Sequence, residues 1–372
     1  MENNKCTLIV DGNWLLMSRM FAFKEHFEVS NDAQRKTEGR MLLQEMMAKS
    51  INITINKFSD IVDNVVIVRD AGSWRKKVKK PAGYEEAYKG NRVKDSDLDW
   101  SYIFGALDDL MEAAASNNIT VSSAYNVEGD DWAWHWSRKL NSEGVNCIIW
   151  SIDADLKQLV SYDNGVFTAW YEHKPGLVLH KKMQMSINEI SVIDMFMNYQ
   201  SNCMVINPLV KSLQLRCSKV TYIDPADIIE SKIICGDAGD NIKPVVQWQS
   251  DGKSHKITEK QWAKCREDAG VDSLGTFFAK YNEIARLIAS SKKLPSHLTK
   301  EHVMEMLEYN KQLVWLDRSV YPEKILEKME ECEYKTGGAE YIKHNYKTLI
   351  KGAQDEDAIK AFDDAMADDL PF

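Results

Sequence analysis

Four short apolar runs in this chain each lead to carboxylates, and that coincidence constrains the fold more than any other feature. Thr7–Val10 runs into Asp11, Val65–Val68 is followed by Asp70, and Cys147–Ile152 stops at Asp153 and Asp155. Ile119–Val121 leads through a loop to Glu128, Asp130 and Asp131 at a helix start. Between these runs lie stretches with helical spacing, Gly39–Phe58, Trp100–Ser116 and Trp132–Leu140. Apolar strands alternating with helices argue for an α/β fold around a mainly parallel sheet. GVFTAWY and GLVLHKK pattern as a hairpin, and after about Ile187 the chain reads as mostly helical. CGDAGDN is a turn signal, and Gly252 in QSDGKSH marks a hairpin or loop.

Ligands of open α/β sheets bind beyond the carboxyl ends of the strands. Acids placed there gather at one edge and repel one another unless cations neutralise them. Hard divalent ions such as Mg²⁺ or Mn²⁺ take oxygen ligands, and two of them can drive a phosphodiester displacement. Taken singly, the acids have plainer readings. Asp130 and Asp131 suit a helix N-terminus, which favours caps and negative charge, and Asp11 before Gly12 suits a turn. The joint pattern is what points to metal.

The chain is acidic, with net charge −9, but the charge is unevenly placed. From Arg69 to Lys94 nine Lys/Arg face three acids, net +6; from Asp355 to Phe372 seven acids face one lysine, net −6. A basic block beside Asp70 suits phosphate. Seven scattered cysteines without a CxxC pair fit free thiols in a reducing cytoplasm. No stretch is apolar enough for a membrane span, and MENNKCTLIV lacks a signal-peptide pattern.

Five segments, in order, resemble the 5′-nuclease (flap endonuclease) superfamily of the PIN-like fold. They are VDGNWLLMSRMFA, VVIVRDAGSWRKK with YEEAYKGNR, VEGDDWAWHWSRKL, SIDADLKQLV and ICGDAGDNI. DNIKPVVQWQSD and YNKQLVWLDRSVYPEKI resemble the branch that holds the ribonuclease H of T-even bacteriophages. The resemblance implies a PIN-like core with a helical arch, a helix-three-turn-helix and a helical C-terminal region. It divides the chain into a catalytic domain at 1–225, a DNA-binding region at 226–352 and an acidic tail at 353–372.

By the same resemblance, Asp11, Asp70, Glu128, Asp130 and Asp153 bind the first metal, directly or through water. Asp131, Asp155, Asp237 and Asp240 serve the second. Arg75, Lys76, Lys79, Tyr88, Lys89 and Arg92 meet the 5′ strand, with Lys76 and Arg92 holding charge at the scissile phosphate. Lys77, Lys79 and Lys80 read equally well as a solvated basic face.

There are departures from the family pattern. Relatives often carry a glycine-rich hairpin after the Asp-Asn block, gripping duplex phosphate with a monovalent ion. KPVVQWQSDGKSHKI replaces it here, which leaves a K⁺ site open. Gly129 replaces a usual alanine, a change expected to be benign. Trp132, Trp134 and Trp136 point in different directions on a helix, so not all three are expected in the core.

AFDDAMADDLPF resembles the acidic tip of bacterial single-stranded-DNA-binding proteins, with Leu370, Pro371 and Phe372 as the docking end. The whole reading is a monomeric, cytoplasmic, two-metal 5′-3′ exonuclease and flap endonuclease with RNase H activity. It acts on DNA and RNA–DNA duplexes with 5′ ends or flaps in phage replication, and its tail meets a replication protein or a single-stranded-DNA-binding protein. A nuclease-inactive DNA-structure binder and a PIN-type single-strand ribonuclease are the rivals.

Overall fold

The computed structural model of the chain describes residues 5–172, 176–184, 208–290 and 294–350. Leu370, Pro371 and Phe372 lie outside them. Eight strands form the main sheet: β1 (Cys6–Asp11), β2 (Val62–Val68), β3 (Thr120–Ser122), β4 (Asn146–Trp150), β5 (Ser161–Asp163), β6 (Val166–Glu172), β7 (Gly176–His180) and β8 (Val220–Ile223). The order is β3-β2-β1-β4-β6-β7-β8, with β5 paired to β6. Pairs from β3 to β6 along that path are parallel, and β6–β7 is the expected antiparallel pair. β1 and β4 are buried at every residue, as continuous apolar runs covered on both faces should be.

The register makes the sheet a platform. Asp11 pairs with Val68, Val10 with Trp150 and Val68 with Ser122, so four parallel strands end nearly level. β4 stops at Trp150 rather than running to Ile152. Ser151 is buried, but Ile152 is 51% exposed, two residues beyond the last β1–β4 pair, Val10 with Trp150.

Helices α1 (Gly12–Met20), α2 (Ala33–Lys57) and α3 (Trp100–Ser116) cover one face through Leu15, Leu43, Met47, Ile51, Ile103 and Leu107. Helix α4 (Gly129–Ser142) covers the other. Gly12 permits the abrupt turn from β1 into α1, since a Cβ there would meet the Val68 carbonyl at 2.8 Å.

All three tryptophans of α4 are buried, contrary to expectation: Trp132 is 1%, Trp134 7% and Trp136 0% exposed. A second layer explains it. Leu316, Tyr321, Ile325 and Tyr334 pack with this cluster, so the helix is covered on the side away from the sheet as well. The Trp134 and Tyr321 ring centroids lie 4.6 Å apart, and Trp136 Nε1 donates to Ser122 Oγ at 2.8 Å.

Within 226–352 the packing divides. Residues between Ile229 and Val314 build a separate core that also takes Tyr88, while Leu316 to Ile350 return to the two faces of the sheet. Helix Pro225–Cys235 leads into the turn around Asp237–Ile242. A two-stranded hairpin, β9 (Gln247–Ser250) and β10 (Lys253–Lys256), separates that turn from helix Glu259–Asp268. Its loop, Asp251-Gly252, has φ of 51° and 70°, the left-handed pair that a tight hairpin turn uses.

The basic segment is not a helical arch in its described form. Beyond the 3₁₀ turn Trp74–Lys77, residues 78–99 contain turns and no helix. Pro81 and Gly83 break any helical run, and Lys89 adopts a left-handed φ of 56°.

Six described cysteines are free thiols, and Cys203 lies outside the described residues. Among the described residues no helix is long and apolar enough to cross a membrane.

Candidate active site

The level strand ends deliver the acids to one edge. Asp11 closes β1 and caps α1. Its Oδ1 accepts from the Trp14 amide at 3.0 Å and its Oδ2 accepts the Ser151 hydroxyl at 2.7 Å. Ser151 Oγ also accepts from the Asp153 amide at 2.9 Å, so one hydroxyl ties the ends of β1 and β4 together. Asp153 then caps the 3₁₀ turn Ala154–Leu159 through the Asp155 amide, 2.9 Å away.

Asp70 is anchored from both sides. Its amide donates to Asn13 Oδ1 at 2.9 Å, and its Oδ1 accepts from the Gly129 amide at 2.5 Å. The glycine therefore matters. A Cβ at 129 would lie 3.0 Å from that same Oδ1 and press on the carboxylate. Glycine lets Asp70 rest on the N-terminus of α4, where backbone N–H groups and the helix dipole favour an anion.

These acids raise one another's proton affinity. Burial pushes Asp11 up to about 7, with Asp70 and Asp153 adding repulsion and the Trp14 and Ser151 hydrogen bonds opposing it. Burial also raises Asp70, Asp130 and Asp153; Asp130 feels Asp153, Asp70 and Glu128, and Asp153 feels Asp240. The donors are all carboxylate oxygens, the chemistry that a hard divalent ion takes. Among the described residues no three His, Cys, Asp or Glu side chains converge closely enough to form a finished cage.

Cations of the chain lie among the acids instead. Lys89 Nζ is 2.5 Å from Glu128 Oε1 and 3.7 Å from Asp240 Oδ2. Arg92 Nη2 is 2.5 Å from Asp240 Oδ1, with its side chain 56% exposed. Lys232 bridges Asp155 and Asp237, 2.5 Å from the latter. Although Glu128 is buried, Arg75 and Lys89 hold its carboxyl below the usual range.

Three residues stand in other roles than expected. Arg75 is not presented to a phosphate: its side chain is 2% exposed, with Nη1 2.7 Å from Glu128 Oε2 and 2.8 Å from Asp131 Oδ1. Asp131 is fully buried. Its Oδ2 accepts from Trp74 Nε1 at 3.2 Å and from the Glu128 amide at 3.1 Å, completing a capping box with Glu128. Its Oδ1 meets Arg75 Nη1, so this carboxylate faces a buried guanidinium and not the open edge. Tyr88 is 5% exposed and donates to Asp240 Oδ2 at 3.0 Å. Lys76 and Lys79 are exposed on the basic segment.

The Tyr-Lys-x-Asn-Arg run and the Gly-Asp-x-x-Asp-Asn block, about 150 residues apart, hold each other. The Lys89 amide donates to the Asp240 carbonyl at 2.9 Å, Asn91 Nδ2 to the Ala238 carbonyl at 3.0 Å and Asn241 Nδ2 to the Ala87 carbonyl at 3.0 Å. Tyr84 OH donates to the Asn241 carbonyl at 3.2 Å. Asn13, Ser73, Ser151 and Lys232 were missing from the sequence reading. Ser73 Oγ donates to Glu128 Oε2 at 2.7 Å. Only Lys232 left a local signal, in the last turn of helix Pro225–Cys235 and five residues before Asp237.

A family model described as the 5′-3′ exonuclease, N-terminal resolvase-like domain, matches residues 6–195, just over half of the chain. Solved structures of bacteriophage T5 proteins are similar in fold. The T5 D15 protein co-crystallized with metal ions is 16% identical, covering 93% of this chain and 100% of its own, with a TM-score of 0.51. The T5 flap endonuclease in a pseudo-enzyme-product complex with DNA and metal ions is 18% identical, covering 88% and 100%, at 0.50. The T5 5′-exonuclease with bound zinc is 15% identical, covering 93% and 100%, at 0.50. No curated protein matches the chain.

Proposed function

We propose, from the premise that this chain belongs to the 5′-3′ exonuclease family, that it hydrolyses nucleic-acid strands from 5′ ends and flaps with two divalent metal ions, Mg²⁺ or Mn²⁺. The observation that carries the reading is the sheet edge to which the strand ends deliver Asp11, Asp70, Glu128, Asp130 and Asp153, where burial and neighbouring carboxylates raise Asp11, Asp70, Asp130 and Asp153. These five would hold one ion, and Asp155, Asp237 and Asp240 the other. When bound, the ions supply an activated water and charge neutralisation at the phosphate.

The remaining work belongs to the chain. Ser151 and the Gly129 amide fix the carboxylates of Asp11 and Asp70. Arg75 and Asp131 brace Glu128 from behind. Lys89 and Arg92 stand where they can exchange carboxylate partners for phosphate oxygens, and Lys76 and Lys79 extend the same positive face. Fixed cations near the scissile phosphate stabilise the charge that develops there.

The reading extends to RNase H activity and to removal of RNA primers and 5′ flaps during phage DNA replication in the host cytoplasm. Solved relatives that carry metal ions and DNA support metal dependence and a DNA substrate. The deciding experiment is cleavage of 5′-labelled flap, nicked and RNA-primed duplexes with and without Mg²⁺. Absence of metal-dependent cleavage on all three would overturn the reading. The acidic tail is proposed to dock a replication partner through Leu370–Phe372. Deleting those residues is expected to leave cleavage of naked flap DNA intact and to abolish capture of that partner.

A further inference from the structure

Tyr125 is the most exposed large aromatic side chain near the site, at 72%, and it gives nothing to the core. It nonetheless sits on a fixed loop. The Asn126 amide donates to the Ala71 carbonyl at 2.7 Å, the Ala71 amide to the Val127 carbonyl at 2.9 Å, and the Trp74 amide to the Asn126 carbonyl at 3.0 Å. Asn126 itself adopts a left-handed φ of 67°, which turns the loop outward at this point. An exposed ring on a braced loop loses little conformational freedom when it binds.

Two ammonium groups flank the ring. Lys77 Nζ is 5.8 Å and Lys328 Nζ 5.6 Å from its centroid, and Lys328 also donates to the Tyr125 carbonyl at 2.7 Å. Lys77 comes from the basic turn and Lys328 from helix Glu323–Glu330, so two distant segments meet over one aromatic. The same helix carries acids, of which Glu330 is paired with Arg318. Tyr125 is three residues before Glu128, so the two Cα atoms are at most about 11 Å apart.

We infer that Tyr125, between Lys77 and Lys328, is a stacking platform for one nucleobase of the single-stranded 5′ segment, a few nucleotides from the carboxylate edge. An aromatic face flanked by cations is the combination that binds single strands without reading sequence, since every base has a π-face and every linkage a phosphate. The inference deepens the nuclease reading and relies on it for the identity of the strand.

The test is equilibrium binding of a 5′-flap duplex with 2-aminopurine at successive flap positions, beside a blunt duplex of the same sequence. Tyr125→Ala is expected to weaken flap binding about tenfold, to remove fluorescence quenching at one flap position and to leave the blunt duplex unaffected. Tyr125→Phe is expected to behave as wild type, because stacking needs the ring and not the hydroxyl. Flap binding by Tyr125→Ala within twofold of wild type overturns the inference, as does equal loss on flap and blunt duplex. Quenching without any metal-dependent cleavage would defeat the nuclease reading while leaving the platform standing; cleavage without quenching would do the reverse.

Discussion

Arg75 Nη1 lies 2.7 Å from Glu128 Oε2, with the Arg75 side chain 2% exposed, so this guanidinium is a strut beneath the acidic edge and not a reader of phosphate. Its carbon Cζ also stands 4.8 Å from the centroid of the Trp74 ring.

Removing one partner of a buried ion pair leaves the other charge uncompensated, at a cost of about 3–5 kcal/mol. Arg75→Ala removes the one cation beside Asp131 among the described residues and leaves Glu128 with Lys89 alone, and it is expected to lose stability in that range. Urea unfolding of the variant beside wild type measures it. An unchanged midpoint with weakened DNA binding would return Arg75 to the phosphate.

Asp70→Asn is expected to abolish cleavage while keeping the fold. The amide oxygen can still accept from the Gly129 N–H, so the anchor at the α4 N-terminus survives while a ligand charge is lost. The loss should exceed tenfold, about 1.4 kcal/mol of barrier, and DNA binding should hold or tighten as repulsion of phosphate falls. Single-turnover rates at saturating Mg²⁺ decide. A rate above about a tenth of wild type removes Asp70 from the ligand set.

What was legible in the sequence was local. The apolar runs of β1 and β2, the boundaries of α3 and the acids at the strand ends all announce themselves within a few residues, because strand burial and helix periodicity are short-range patterns. The roles that moved depend on partners far along the chain. Arg75 is buried because Glu128 and Asp131 arrive 53 and 56 positions later, and Tyr88 because Asp240 arrives 152 later. The tryptophans of α4 looked too many for one core. The stretch from Leu316 to Tyr334, which covers the helix's outer side, has no signature that ties it to them.

Lys76 and Lys79 separate catalysis from attraction. Both are exposed, but Lys76 directly follows the buried Arg75 in the fixed 3₁₀ turn, while Lys79 lies beyond its end. Lys76→Ala is expected to slow single-turnover cleavage more than it weakens binding, as a charge acting in the transition state would. Lys79→Ala is expected mainly to weaken binding and to flatten its salt dependence. Equal effects on rate from the two variants remove any special role for Lys76.

His135 should give the protein an acid-sensitive step that does not involve the acidic edge. Its ring is 7% exposed, packed edge-on between Trp132 and Trp136, and its Nε2 has no hydrogen-bond partner among the described residues. Burial depresses it to about 4, with Lys139 pushing the same way and Glu330 opposing. The ordinary value for a histidine is near 6.5, so between about pH 6.5 and 4 the unfolded chain binds the extra proton and the folded chain resists it. Stability from this group is therefore complete above the unfolded value and is lost as pH falls through that window, by about 3 kcal/mol in full. Asp11, raised to about 7, works with the opposite sign, since protonation relieves its buried charge. The test must therefore be a difference. His135→Leu removes the titrating ring, and its unfolding free energy, measured beside wild type from pH 7.5 to 4.5, should fall less steeply on acidification. Parallel curves would mean that the ring is protonated in the folded state or solvated well enough not to matter.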